Sequence, residues 1–557
     1  MRGAASLRMI MGVKGSPRTV SGAPQQPSGS RPLPAARAWY IAQAILIAVA
    51  GALLAWSLVR LGGYFWFALT CPYEIEYGEG VLLHNAINIA RGGEVYNDFH
   101  HYPYLAATYP PMFPLVSAIG VKLFGVSFAF GRAVSVLSTL GTAGLIWLIL
   151  RRTGRGQFAS GLAAVLFLAA PIVCWWGPVM RVDMLAVMLG VAAVYCVIRG
   201  GRWLGVAVVL MVAAVFTRQS EVAPLAASVG YLWWVRQRRQ AVFVGAAWMA
   251  AVLLISGALQ AASHGWFFRH VVMANENAWH LQTLFEWWTE WVIPSLPFPF
   301  VLGLGGAVIA LGGWGGSVGD SRARAPQGLR LLALYFVFAM LVSVTAGKIG
   351  AAVNYFLEPL AAACLMTGVA VQWLGGRLRS WPGKAAWVAA WLVLVSAPAY
   401  ALVRPEVDQY WPYRLSREKI IEGGKEALAL VRATKGDILS EDSGLPLLAG
   451  RRLLLDPHKM TSLFRDGVWN QRPLIEDIER RRFALIITRW DPVGGATDRW
   501  GTVGDYRWSI GMGRAIMQNY YLVKKTGFLY ITAPLDGKHR SCDQLHQELV
   551  RRAQVAR

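Results

Sequence analysis

Cysteine is scarce and scattered: Cys71, Cys174, Cys196, Cys364 and Cys542 are the five among 557 residues. They form no CxxC and no ligand-like spacing, so neither a disulfide framework nor a zinc site is indicated. Charge is scarce too, at 15% of residues, against about 25% in a soluble domain. Acids are the rarer sign, with 31 Asp+Glu facing 54 Lys+Arg. An internal repeat of the kind that marks many transporters is also missing. What is plentiful is apolar: 55% hydrophobic residues and a mean hydropathy of +0.41 exclude an ordinary soluble protein and indicate a polytopic membrane protein. The net charge of +23 would suggest nucleic acid in a soluble domain, but here it must first be set against membrane topology.

Residues 1–39 hold six basic residues, no acid and a Gly/Ser/Pro/Gln-rich run, which predicts a disordered cytoplasmic tail. The apolar run from Tyr40 to Leu69 exceeds a signal-peptide core and lacks a small-residue cleavage site, so it reads as a first span. Ten more apolar runs follow near 133–150, 158–176, 184–198, 203–217, 222–235, 241–262, 292–313, 331–346, 356–374 and 385–403, about eleven transmembrane helices in all. Alternate gaps carry Arg151/Arg152/Arg155, Arg199/Arg202, Arg236/Arg238/Arg239, Arg322/Arg324/Arg330 and Arg377/Arg379/Lys384, against the single acid Asp320. By the positive-inside rule these are cytoplasmic. The intervening gaps, acidic on balance, face outward. The short, Pro-led run Met112–Phe124 is read as interfacial or re-entrant, since a full crossing would invert every later loop. Residues 70–131 then form a large outer loop on the membrane surface. From 404 to 557 the composition becomes that of a globular domain. Expected helices at Arg417–Ala433 and Pro473–Arg482, strands at Gly436–Ser440 and Phe483–Thr488, and a strand pair at Tyr520–Thr532 broken at Gly527 predict a small α/β domain, placed outside by the odd number of spans. The charge excess is therefore chiefly a topology signal, with no call for a nucleic-acid partner.

All nine histidines fall on the outer side of this topology, so polar chemistry is expected there. YEIEYGEG places Glu74, Glu76 and Glu79 directly after the first span, either a solvated acidic loop or a catalytic one. In PVMRVDML, Asp183 opens a span as a possible helix N-cap with Arg181 at the headgroups, or the pair faces a shared polar cavity. FTRQSE sets Arg218 one turn from Glu221, most simply a structural ion pair. AGKIGAAVNYFLEPL carries Lys348, Asn354, Tyr355 and Glu358, where Lys348 snorkels or meets a lipid phosphate. HHYPYLAATYPP contributes His100, His101 and Tyr109. Its adjacent histidines lack metal-ligand spacing, and its prolines mark a stiff break. The Trp-rich segment with Arg269, His270 and His280 suits a surface helix.

The acidic loop after span one, the YPP segment, Gly125 and Gly131–Arg132 leading into the next span, RVDML, FTRQS and NYFLEPL together resemble the integral-membrane glycosyltransferases of the C superfamily, which include protein O-mannosyltransferases and lipid A aminoarabinose transferases. The resemblance covers about residues 40–403. It implies a GT-C fold and an enzyme of the cytoplasmic (inner) membrane. Such an enzyme moves a sugar from a polyprenyl-phosphate donor to a lipid, glycan or protein acceptor at the outer face, with inversion. An acid of the first loop would be the base, Glu79 in preference to Glu76, because Gly80-Val81-Leu82-Leu83 reads as a surface-helix start. Asp183 would be the second acid, and Arg181, Arg218 or Lys348 the phosphate cations. Tyr109, His100, His101, Asn354 and Glu358 would line the substrate. A divalent cation such as Mg or Mn, if used, would sit on Asp183 and Glu76. A lipid-linked-saccharide transporter or flippase, or an envelope scaffold, is the alternative. A transporter would be expected to carry charges deep in several spans, whereas these acids gather at one interface.

Overall fold

The computed structural model describes residues 34–293, 298–314, 328–377, 381–403, 417–495, 502–503 and 507–555. Most of the basic tail, Asp320, Arg322, Arg324, Arg379 and the start of the C-terminal region lie outside them. Compact units divide at Ala48/Val49. The second, residues 49–557, contains nearly all of the apolar helices together with the C-terminal region.

Within the described residues every expected apolar run is helical. Five helices are long and apolar enough to cross a membrane: Trp39–Thr70, Ala129–Arg152, Arg238–Ala262, Gly328–Gly347 and Val353–Gly375. The others are shorter. Trp203–Thr217, at 15 residues, rises only about 22 Å, so the count of eleven crossings remains a reading of the sequence. The run 158–176 is two helices, Gln157–Ala169 and Pro171–Trp176, with Ala170 extended between them. Pro171 lacks the N–H to continue the first helix and is pre-set to open the second. Met112–Phe124 is a 13-residue helix, the length of an interfacial segment.

Two helices mark the extremes of burial. Val353–Gly375 is the central post, with Leu357 to Val371 buried throughout its Leu357–Gly375 α-helical part. It accepts its neighbour closely because Gly306 has no Cβ; one added there would lie 2.0 Å from the Met366 carbonyl oxygen. Arg238–Ala262 is peripheral and leaves Val242, Phe243, Met249, Leu253 and Leu254 exposed, an apolar face suited to lipid. Among the described residues, the segments carrying Arg155, Arg199 and Arg330 meet at one end of the bundle, where the Gly156 N–H donates to Gln372 and Gly328 abuts Thr153 and Ile198. The acidic segments gather at the other end.

That second end carries the C-terminal domain. Its main sheet has the order β1-β2-β6-β5, from Ile438–Ser440, Leu485–Thr488, Leu529–Pro534 and Tyr520–Thr526, with β1/β2 parallel and the other pairs antiparallel. A short ribbon pairs β3, Thr502–Val503, with β4, Trp508–Ser509. The expected α/β alternation is present, and the hairpin turns at Gly527, whose φ of +58° an L side chain would strain. The first loop lies against this domain as well as against the bundle. Tyr104 pairs in parallel with Leu455, and Phe99 and Tyr104 share an apolar core with Leu439, Met460, Trp469, Ile486 and Trp508. Leu82, Leu83 and Ile87 of the helix Glu79–Ala90 pack between Phe113, Phe128 and Met180 on one side and Leu447 and Leu453 on the other. The loop is thus a layer between bundle and domain, fixed by burial on both faces.

Candidate active site

The three glutamates of YEIEYGEG have three different fates. Glu79 is fully buried, and its carboxylate receives five donors: Arg132 Nε at 2.9 Å and Nη2 at 2.7 Å, and the N–H groups of Met180 at 2.7 Å, Ile75 at 2.8 Å and Glu76 at 3.2 Å. Arg132, equally buried, spends its remaining donors on the carbonyls of Ala68, Cys71 and Tyr73. Burial pushes the Glu79 carboxyl up, but Arg132 and these N–H groups outweigh it and hold it below the ordinary carboxylate range. A carboxylate so saturated is a clamp on the loop and is badly placed to accept another proton, contrary to the preference for Glu79 as base. Glu74 faces the C-terminal domain, accepting from Gly444 N–H at 2.9 Å and Gly78 N–H at 3.3 Å, with Arg489 at 4.0 Å.

Glu76 is the one with a free edge. Its Oε2 lies 3.4 Å from Arg181 Nη1 and accepts no hydrogen bond, and 17% of the side chain is exposed. Burial raises its carboxyl to about 7; Arg181 opposes the rise, and the nearby Glu79 and Asp183 add to it.

Arg181 is no headgroup anchor: it donates to the Tyr77 carbonyl at 3.2 Å and the Tyr109 hydroxyl at 3.0 Å, over the rings of Tyr109 and Trp176. Asp183 is the first residue of its helix, Val182 is the cap, and the cap makes no side-chain hydrogen bond, so the N-cap reading fails. The fully buried Asp183 carboxylate instead accepts from Asn354 Nδ2 at 2.7 Å. Arg218 Nε lies 3.5 Å from it and Arg181 Nε 4.0 Å, and Oδ2 accepts no hydrogen bond. Arg218 also caps the Tyr355 ring at 4.7 Å. It therefore turns to Asp183, and no Arg218–Glu221 ion pair forms among the described residues. Glu221 packs beside Glu358 instead, where burial, opposed by Arg218 and increased by Asp183, raises it to about 7.

Five segments of the chain thus bring Glu76, Tyr109, Arg181, Asp183, Arg218 and Asn354 together. His100 and His101 are not among them. Both are exposed, His101 lies 3.8 Å from Asp98, and neighbouring Phe99 fills the domain core. Lys348 lies apart from the Asp183 pair and interacts with Lys459 of the C-terminal domain. The donor set does not suit a divalent cation. No three His, Cys, Asp or Glu side chains converge among the described residues, and both candidate carboxylates face an arginine.

Gly78 sets this geometry. Its φ is +103°, and a Cβ there would stand 2.2 Å from Arg181 Nη1. Gly78→Ala is expected to displace Arg181 and lower turnover by about 10²-fold, and to cost about 1–3 kcal/mol of stability because φ at Gly78 strains an L side chain; activity and melting curves of the same preparation check this.

Sequence reasoning missed the contribution of the C-terminal domain. Tyr77 donates to Asp456 at 2.5 Å and accepts from the His458 N–H at 3.1 Å, while Arg507 stacks 4.5 Å over its ring and is itself held by buried Glu441 at 2.7 Å. No local spacing signals a contact 379 residues away. Arg132 was legible only as a charge at the entry to an apolar run.

Residues 108–259, which include Tyr109, Arg132, Arg181, Asp183 and Arg218, match the family model for dolichyl-phosphate-mannose-protein mannosyltransferase. Among solved structures, ArnT from Cupriavidus metallidurans bound to undecaprenyl phosphate superposes with a TM-score of 0.51 at 14% identity, over 90% of this chain and 99% of that one. Its fold is ArnT-like. The apo state of the same ArnT gives 0.52 at 13% identity, over 90% and 98%. No curated protein matches the sequence. The resemblance to membrane glycosyltransferases of the C superfamily is therefore borne out, and the ArnT likeness extends through the C-terminal domain as well as the bundle.

Proposed function

We propose that the protein transfers a sugar from a polyprenyl-phosphate donor to an acceptor hydroxyl at the outer face of the membrane. In the orientation proposed with it, the basic clusters lie in the cytoplasm and the C-terminal domain outside. The observation that carries the reading is the partly exposed Glu76 carboxylate beside Arg181, whose buried Oε2 accepts no hydrogen bond, next to the Asp183–Arg218 pair. A sugar on a lipid phosphate already has a good leaving group, so the site has to accept a proton and stabilise a departing phosphate. Glu76 takes the acceptor proton. Arg181 and Arg218, held near 4 Å of Asp183, face the phosphate oxygens, and Asp183 keeps both guanidinium planes oriented. Direct displacement with no covalent sugar–enzyme intermediate inverts the anomeric centre. The match to the mannosyltransferase family over the segment holding Arg181, Asp183 and Arg218, and the fold shared with an ArnT that binds undecaprenyl phosphate, support the same reading.

The test is mass spectrometry of polyprenyl-phosphate sugars and envelope glycans in a strain lacking the gene. An accumulating donor with a missing linkage is expected, and an unchanged profile of both overturns the proposal. A base must be ionised to act, and the Glu76 carboxyl lies near 7. kcat/KM is therefore expected to climb as pH rises through about 7 and then level off, and that limb should vanish in Glu76→Gln, as a pH profile of both proteins will show.

A further inference from the structure

Beyond the Glu76–Asp183 cluster, a second group of cations meets where the C-terminal domain covers the bundle. The helix Pro457–Arg465 presents Lys459, only 9% exposed, toward Asn277 and the turn that carries Lys348. The turn is positioned by backbone pairing: His280 N–H donates to the Gly347 carbonyl, Ile349 N–H to Ala278, and Asn277 Nδ2 to Ile349. Asn277 Oδ1 is left to accept from Lys459 Nζ and Ser462 Oγ, each at 3.5 Å. Among the described residues that is the one hydrogen bond of a three-donor ammonium. Among the described residues neither Lys348 nor Lys459 forms an ion pair with a carboxylate. Asp456, the nearest acid along the chain, already accepts from Tyr77 and from the backbone N–H of Lys459. His458 closes the same wall: a Cβ added at Gly350 would stand 3.8 Å from its Nε2 and 3.9 Å from Asn277 Nδ2, and its buried Nδ1 has no hydrogen-bond partner.

The buried Lys459 ammonium, with most of its donors unspent and the half-buried Lys348 turn joined to it through Asn277, is costly to fold unless something anionic meets it. The cost is visible in Lys459: burial, opposed by Asp456 and Asp466 and increased by Lys348, lowers it to about 8. We infer that Lys348, Lys459 and Asn277 form a second anion-binding site, built jointly by the bundle and the C-terminal domain, that takes a phosphate or carboxylate group of a substrate. His458 lines it as a neutral ring, because burial together with Arg507, Lys459 and Arg181 pushes it down to about 3. The site gives the C-terminal domain a direct part in substrate recognition. Only the choice of occupant rests on the transferase reading: the anion belongs either to the acceptor or to the donor phosphate.

Binding to the full-length protein separates these. Inorganic phosphate is titrated into protein saturated with undecaprenyl phosphate, and undecaprenyl phosphate is titrated separately, for wild type, Lys459→Gln, Lys459→Arg and Lys348→Gln. Lys459→Gln is expected to weaken inorganic phosphate by about 10- to 100-fold, with Lys459→Arg close to wild type and undecaprenyl phosphate affinity unchanged, which places the anion on the acceptor. Loss of undecaprenyl phosphate affinity in Lys459→Gln would instead assign the site to the donor phosphate. Lysine-dependent phosphate binding by a wild-type protein that ignores undecaprenyl phosphate would keep the site and sink the transferase reading. Unaltered affinity for both anions in folded Lys459→Gln and Lys348→Gln overturns the inference. Should Lys459→Gln not fold, Lys348→Gln decides alone.

Discussion

Glu76→Gln is expected to lower sugar transfer by about 10²- to 10⁴-fold, the range of a lost general base, while the melting temperature stays within a degree or two of wild type. Two features of Glu76 set the direction of each effect. Oε2 carries no hydrogen bond, so an amide in its place leaves no structural donor stranded. Its carboxyl is raised to about 7 because it is buried, so near neutral pH it is poised between the proton-accepting and proton-holding forms, and the amide is neither. Arg181 loses a charge partner at 3.4 Å but keeps Tyr77, Tyr109 and Asp183. Steady-state turnover with a polyprenyl-phosphate sugar, alongside thermal unfolding in the same detergent, measures both quantities. Full activity in Glu76→Gln would remove Glu76 from the mechanism.

Arg132→Leu carries the largest expected cost to stability, about 3–5 kcal/mol. Its guanidinium makes two bonds to Glu79 and one each to Ala68, Cys71 and Tyr73, all inside the protein. Removing it leaves a fully buried carboxylate without its counter-charge and takes a donor from each of three carbonyls, Tyr73 retaining the weak Cys71 thiol. The loop 71–79 is folded around this residue, so Arg132→Leu should also abolish activity. Glu79→Gln is predicted to be milder, because the amide oxygen still accepts from part of the same donor set. If the clamp is structural, the pair Arg132→Leu with Glu79→Leu should recover part of the stability lost in Arg132→Leu alone, since the orphaned charge is gone. Unfolding transitions of the four proteins close the cycle. An Arg132→Leu protein as stable as wild type would show that the clamp bears no weight.

The contrast between Glu76 and Glu79 shows how far the sequence reached. The helices Pro457–Arg465, Ile510–Asn519 and Cys542–Val555 were not legible, whereas the apolar helices, the membrane class and the strands Ile438–Ser440, Leu485–Thr488, Tyr520–Thr526 and Leu529–Pro534 were, because each rests on local periodicity and burial preference. So was the set of chemical residues at one face, because ionisable side chains stay out of hydrocarbon and were therefore conspicuous wherever they interrupted it. Their division of labour was not legible. Glu74, Glu76 and Glu79 look alike in sequence, and only the arrival of Arg132 from the helix Ala129–Arg152, of Met180 from the loop before Asp183 and of Gly444 from the C-terminal domain makes one a clamp and one a tether and leaves one with an oxygen that accepts no hydrogen bond.

The same reason explains His100, His101 and Arg218. The histidines sat in a promising motif, yet the fold spends Phe99 on the domain core and leaves both imidazoles outside. Arg218 lay one turn from Glu221, yet the tertiary structure brings Asp183 to 3.5 Å. Hydropathy and charge along the chain determined which segments are buried and which end of the bundle is polar, because transfer from water acts on each segment by itself. Which carboxylate is free, which arginine meets it, and that Lys459 completes a second cationic site over Lys348 were decided by the tertiary structure alone. Hydrogen bonds and ion pairs depend on partners within about 4 Å, and those partners come from distant parts of the chain.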